Sequence, residues 1–146
     1  MDDSQFEVYE TPDKLARFVF SYSDSQLTTG LLIMQPGAAL AKHNRPLGFE
    51  NLLQISGKCK TTVYNVQNER KMEKEVEMSP NDLVQMAKGQ WHIHANPFDQ
   101  ESITFFKLIG DITEIMQTLR QDNSKIDLQV KYYKALSSLV SSHLLQ

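Results

Sequence analysis

Two stretches decide how this chain reads: Gly37-Ala-Ala-Leu-Ala-Lys-His43-Asn-Arg45-Pro-Leu-Gly-Phe-Glu50, running on to Gly57, and Gly89-Gln-Trp-His92-Ile-His94-Ala-Asn96. Three of the four histidines lie in them. In an extended strand, residues two apart face the same side. His92 and His94 are therefore expected to point together, with Trp91 and Ile93 on the opposite face. His43 and Arg45 share a face in the same way if their segment is extended. Interior imidazoles with one carboxylate, Glu50, are the donor set of a two-histidine, one-carboxylate metal site. Such ligands suit iron, manganese, nickel or zinc, so the donor set leaves the divalent metal open.

Working outward, the flanking sequence reads as short strands separated by turn signals. Arg17–Tyr22 and Gly30–Gln35 are apolar, β-branched or aromatic, and flank Ser23-Asp24-Ser25; Pro36-Gly37 closes the second. Leu52–Ile55, Thr61–Val66, Glu73–Met78, Leu83–Ala87, Trp91–Ala95 and Ser102–Ile109 complete the set. Many short strands at near-regular spacing predict a sandwich or barrel rather than βαβ units, which need helical crossovers. After Gly110 the period changes. Ile112, Ile115, Met116 and Leu119 fall at helical spacing behind Asp111, with Glu114 three residues on as a cap. A second helix is expected from about Ser124, with Ile126, Val130, Tyr133, Leu136, Val140 and Leu144 forming an apolar stripe.

At the two histidine blocks the chain resembles the cupin superfamily. The first cupin motif runs glycine, five residues, histidine, one residue, histidine, three or four residues, glutamate, six residues, glycine. Gly37, His43, Arg45, Glu50 and Gly57 reproduce that spacing with one change of type. In the second motif, Asn81 and Ala87 stand for glycine and proline, followed in register by Gly89, His92 and Asn96. The resemblance implies an all-β fold, a cupin-type double-stranded β-helix (jelly-roll barrel), with C-terminal α-helices. Residues 1–110 would form the barrel and residues 111–146 a helical extension of the same domain. It also implies metal ligation by His43, Glu50 and His92, with Arg45 where a second histidine belongs. A guanidinium has no lone pair to offer a metal. Three ligands remain, and His94 can add a fourth or line the pocket. Arg45 can clamp the anionic group of a small ligand. Alternatively it forms an ion pair with Glu50 and replaces the metal.

Composition bounds the partners. The 146 residues suffice for one domain, and the 15 basic and 18 acidic side chains are spread along the chain. That balance gives no electrostatic footprint for nucleic acid or anionic lipid. No apolar run is long enough to span a bilayer. The start, MDDSQFEVYE, is unlike a signal or transit peptide. One cysteine, Cys59, allows no internal disulfide and fits a reducing, cytoplasmic setting. It lacks a paired base in sequence and reads as inert. Asn96 is expected to support a turn at Asn96-Pro97, and Gly37, Gly57 and Gly89 to serve turns. Tyr64, Phe105 and Phe106 read as core, and Trp91 as core or interface. Two functions from different classes follow. One is a small metal-dependent cupin that binds a small polar or anionic ligand, with enzymatic activity left open. The other is a non-catalytic cupin module, dimerising or ligand-binding, with an empty or salt-bridged barrel. A homodimer is expected from the usual behaviour of the fold it resembles.

Overall fold

The computed structural model describes residues 6–44 and 48–121. Among them are nine strands and a helix: β1 (Glu7–Glu10), β2 (Ala16–Ser23), β3 (Leu27–Met34), β4 (Gly48–Ser56), β5 (Cys59–Tyr64), β6 (Met72–Met78), β7 (Leu83–Met86), β8 (His92–Ala95), β9 (Ser102–Gly110) and α1 (Thr113–Gln121). Every expected strand is present, but β3 begins three residues before the expected Gly30 and β4 four residues before the expected Leu52, which brings Glu50 into the strand. β1 was not expected. Its four residues include two glutamates, so it carries little strand signal, yet Val8 and Tyr9 are buried by antiparallel pairing with Val19 and Phe18.

The strands form a six-stranded sheet in the order β1-β2-β3-β9-β4-β7 and a three-stranded sheet in the order β6-β5-β8. All named pairings are antiparallel. Their facing sides share one core, with Leu32, Leu52 and Phe106 from the large sheet and Cys59, Val63 and Met78 from the small one. The back of the large sheet carries a separate buried cluster, including Val19, Leu31, Ile33 and Phe105. Phe105 and Phe106 are both core, as expected, but they serve opposite faces of β9.

β4 shows how sequence pattern sets these faces. Gly48, Glu50, Leu52 and Gln54 are buried, while Phe49, Asn51, Leu53 and Ile55 between them are half-buried. Period-two alternation therefore sends Glu50 inward beside apolar neighbours. Gln54, fully buried farther along, donates through Nε2 to the Ser102 hydroxyl (3.0 Å) and to the carbonyls of Ser56 (3.0 Å) and Gly57 (3.3 Å). Its Oε1 accepts from Thr104 at 2.6 Å. The turns match their residues too. Gly57 has a φ of 65°, and a Cβ there would strike the Glu101 carbonyl. Asn81 has a φ of 77°, a conformation that asparagine tolerates better than most side chains. That explains how it can occupy a position where the resembled motif has glycine.

At the C-terminal end, the first of the two expected helices is present. One short helix, α1, is described, with the Asp111 carboxylate accepting from the Thr113 amide (2.9 Å) and hydroxyl (2.6 Å) at its start. Ile112 and Met116 turn into the core. The second expected helix, from Ser124 onward, lies outside the described residues, so the architecture described here is β-sheets with a single helix.

Candidate metal centre

Two sheets and one irregular segment converge on the candidate site. β8 pairs with β5, setting His94 opposite Thr61 and His92 opposite Val63. The segment before β4 lies along the other edge of β8 through bridges Ala39↔Ala95 and His43↔His92. The His43 and His92 backbones exchange hydrogen bonds of 3.1 and 2.9 Å. His92 and His94 both turn into the sandwich, while Trp91 and Ile93 are half-buried. Glu50 reaches them from the large sheet. The three rings cluster, with centroids 4.4 Å apart for His43–His92, 4.7 Å for His92–His94 and 5.7 Å for His43–His94. One ligand atom from each of His43, Glu50, His92 and His94 lies within 4.8 Å of every other.

The hydrogen bonds decide which ring nitrogens face inward. His43 Nδ1 is 2.7 Å from the Ala41 carbonyl, and His92 Nδ1 is 2.9 Å from the Gln90 carbonyl. A carbonyl only accepts, so both Nδ1 atoms carry hydrogen. His94 Nδ1 lies 3.1 Å from the Thr61 hydroxyl, which itself points at the Met78 sulfur at 3.9 Å. With the hydroxyl hydrogen on sulfur, Thr61 accepts from His94 Nδ1. Each Nε2 then carries its ring's lone pair, the arrangement in which outer partners fix the tautomer of metal-binding histidines.

What Nε2 meets is a carboxylate. Glu50 Oε2 lies 3.4 Å from His92 Nε2 and 3.5 Å from His94 Nε2, with all three residues buried. Among the described residues, His92 Nε2 is the one buried side-chain polar atom without a hydrogen-bond partner. In the neutral ring its lone pair faces the lone pairs of Glu50. That arrangement is repulsive unless a cation, either a proton or a metal ion, lies between them. Burial raises the Glu50 carboxyl, but where a proton occupies the Nε2 side of the rings, hydrogen bonds and charge from His92 and His94 outweigh it and hold the group well below the ordinary carboxylate range. Glu50 is therefore ionised. Three imidazole nitrogens and one carboxylate fit a divalent transition metal.

Known structures share this arrangement of strands. The cupin domain of Schizosaccharomyces pombe Cnp3 aligns at a TM-score of 0.57 and 13% identity, over 70% of each chain. A Klebsiella pneumoniae protein with a double-stranded β-helix domain aligns at 0.59 and 16%, over 77% of this chain and 84% of that one. The chain has the cupin fold. KdgF from a Halomonas species is also similar, at a TM-score of 0.60 and 9% identity over 73% of this chain and 91% of that one. Identities this low carry the fold alone. No family model and no curated sequence matches the chain.

Within this fold, the structure brings together four of the five residues singled out by sequence, His43, Glu50, His92 and His94. Arg45 lies outside the described residues. Asn96, fully buried, donates to the carbonyls of Met34 (3.0 Å) and Gln100 (2.7 Å) and accepts from the Phe98 amide (3.1 Å), which is a structural tie between β8 and β3. Burial pushes the Cys59 thiol up, although hydrogen bonds from its neighbours oppose this. Sequence reasoning missed Thr61, which looks like any inward residue of β5. It also missed the cavity beside the cluster, about 280 Å³ in volume. His43, Glu50 and His94 open onto that cavity, whose walls come from β2, β3, β4, β9, α1 and the segment before β4.

Proposed function

We propose that this cupin binds one divalent transition-metal ion through His43, Glu50, His92 and His94 and takes a small molecule in the adjoining cavity. One observation carries the reading. The buried Nε2 of His92 has no hydrogen-bond partner and faces an ionised carboxylate, while its Nδ1 is held by a backbone carbonyl. When bound, the metal supplies Lewis-acid polarisation or redox chemistry, according to its identity. The chain's own residues do the positioning. Ala41, Gln90 and Thr61 hold the imidazoles in one orientation, and the apolar wall limits water around them. His43, half-buried, stands at the cavity side of the cluster, where a ligand meets it.

The test is elemental mass spectrometry of protein purified without chelator or histidine tag, beside His43→Ala and His92→Ala. Near-stoichiometric iron, manganese, nickel or zinc in the parent, lost in both variants, supports the site. No metal after reconstitution with each ion overturns it, and the cluster then reads as a protonated histidine–glutamate core.

A second reading, a non-catalytic module that pairs with its own copy, is favoured by Leu83. This residue is 72% exposed on β7, an edge strand of the large sheet. Exposed apolar edges invite strand pairing. Sedimentation velocity on the parent and on Leu83→Lys tests it. A dimer that the lysine dissociates supports pairing through β7, and a monomeric parent removes it.

A further inference from the structure

The cavity beside the cluster is built unevenly. Four of its lining residues are polar, His43, Glu50, His94 and Thr104, and Thr104 already donates to Gln54 at 2.6 Å. The remaining ten are apolar, with Phe18, Phe20, Leu32, Phe106 and Ile115 among them. Among the described residues, no lysine, arginine, asparagine or glutamine lines this wall. Its shape is fixed by packing. Phe20 and Phe106 meet edge to face with centroids 5.6 Å apart, and Phe18 stacks on Phe20 at 6.0 Å. Gly30 lies opposite both Phe20 and Phe106 in the sheet, and a Cβ there would come within 2.7 Å of Phe106 Cζ. Glycine at this position leaves the ring its place in the wall.

A ligand with hydroxyls along its length would leave them without partners against these rings, and each buried unpaired hydroxyl is unfavourable. A sugar derivative therefore fits poorly. An apolar body fits well. A cavity of roughly 150 Å³ lined by leucine, isoleucine and phenylalanine holds benzene, and about 280 Å³ holds a ring with a short side chain or an alkyl chain of similar bulk. Charge fixes the other end. A divalent cation set against one ionised carboxylate, Glu50, leaves one net positive charge in a buried setting, which a single anionic oxygen group neutralises.

From this geometry we propose that the ligand of this cupin is a small monoanionic organic acid with an alkyl or aryl body. Its head group lies at the His43–Glu50–His94 end, and its body lies against Phe18, Phe20, Phe106 and Ile115. The inference rests on the metal-binding reading above, and its test separates the two. Zinc-loaded protein, with its zinc content counted, is titrated calorimetrically with acetate, butyrate and hexanoate, then with 3-phenylpropanoate and gluconate. Affinity should rise about threefold to fourfold per methylene along the alkyl series. Hexanoate and phenylpropanoate should each bind at least about tenfold tighter than gluconate. Phe18→Ser and Ile115→Ser change half-buried wall positions, so folding should tolerate them. Each should keep its zinc and lose about tenfold in hexanoate affinity. His92→Ala, freed of zinc, should lose hexanoate binding.

Zinc at one per chain with no dependence on chain length, or with gluconate binding as tightly as hexanoate, overturns the ligand assignment and leaves the metal site standing. Hexanoate binding that persists unchanged in zinc-free His92→Ala overturns the placement of the head group. Failure to bind zinc at all removes the metal reading and this inference together.

Discussion

Gln54 is an amide in the middle of an apolar strand, and it is fully buried. Its side chain closes bonds to Ser102, Thr104 and two carbonyls at the β4 bulge. Replacing it with leucine keeps the volume but strands those partners, and each buried unsatisfied group costs about 1–3 kcal/mol. Gln54→Leu should therefore lower stability by roughly 2–3 kcal/mol, read as an earlier urea midpoint at unchanged slope. A shift under half a kcal/mol would mean water takes over these bonds. Cys59, on the neighbouring sheet, is set chiefly by burial. With its thiol pushed up and only 1% of it exposed, it should stay unlabelled by a thiol reagent at about pH 8 and react on denaturation. Labelling at the native rate of a free thiol would show that the small sheet opens readily. Neither residue announces its role in sequence: a glutamine among leucines and a lone cysteine look the same whether wet or sealed.

At the scale of elements, the histidine pair of β8 was legible because a strand has period two and nothing else is needed to place His92 beside His94. That His43 and Glu50 meet was implied by the resemblance of the Gly37–Gly57 stretch to the first cupin motif. What was not legible is the set of groups that orient the rings. The carbonyls of Ala41 and Gln90 belong to backbone, which any residue supplies, and Thr61 comes from a strand that pairs with β8 only in the fold. The cavity wall was hidden for the same reason, since Phe18, Phe106 and Ile115 lie far apart in the chain. β1 escaped notice through its two glutamates, and Arg45 falls outside the described residues. The β5–β8 pairing makes Thr61 testable. Thr61→Val keeps shape and β-propensity but removes the hydroxyl that holds His94 Nδ1. Loss of such an outer partner typically costs about 10–100-fold in metal affinity. Competition against a chromogenic chelator should show that loss with the circular dichroism spectrum unchanged. Equal affinity would mean that His94 stands outside the ligand set.

For the whole molecule, the position of the cluster matters more than its composition. Glu50 belongs to the six-stranded sheet, and His92 and His94 to the three-stranded one, so a bound ion links the two layers. Separating the sheets must then release the ion, and binding appears as folding stability. Zinc held at a thousand times its dissociation constant adds about 4 kcal/mol, a rise in melting temperature on the order of 10 °C for a chain of this size. The sign of its pH dependence follows from the proton count. Glu50 is held ionised well below the ordinary carboxylate range, so it adds no protons over mildly acidic pH. The imidazoles must be neutral to ligate, whereas free imidazole ordinarily takes up a proton near pH 6.5. The unfolded chain therefore binds more protons than the zinc-bound fold, and stability rises with pH across that range. The zinc-dependent rise in melting temperature should be full at about pH 8 and shrink progressively as the pH falls through about 6.5 toward 5. His92→Ala should show no rise at either end. An increment that is the same at pH 5 as at pH 8 would place the ion elsewhere, on groups that do not titrate in this range. Absence of any increment at pH 8, in protein shown to be folded, would leave the cluster as a proton-bridged core holding the two sheets together by itself.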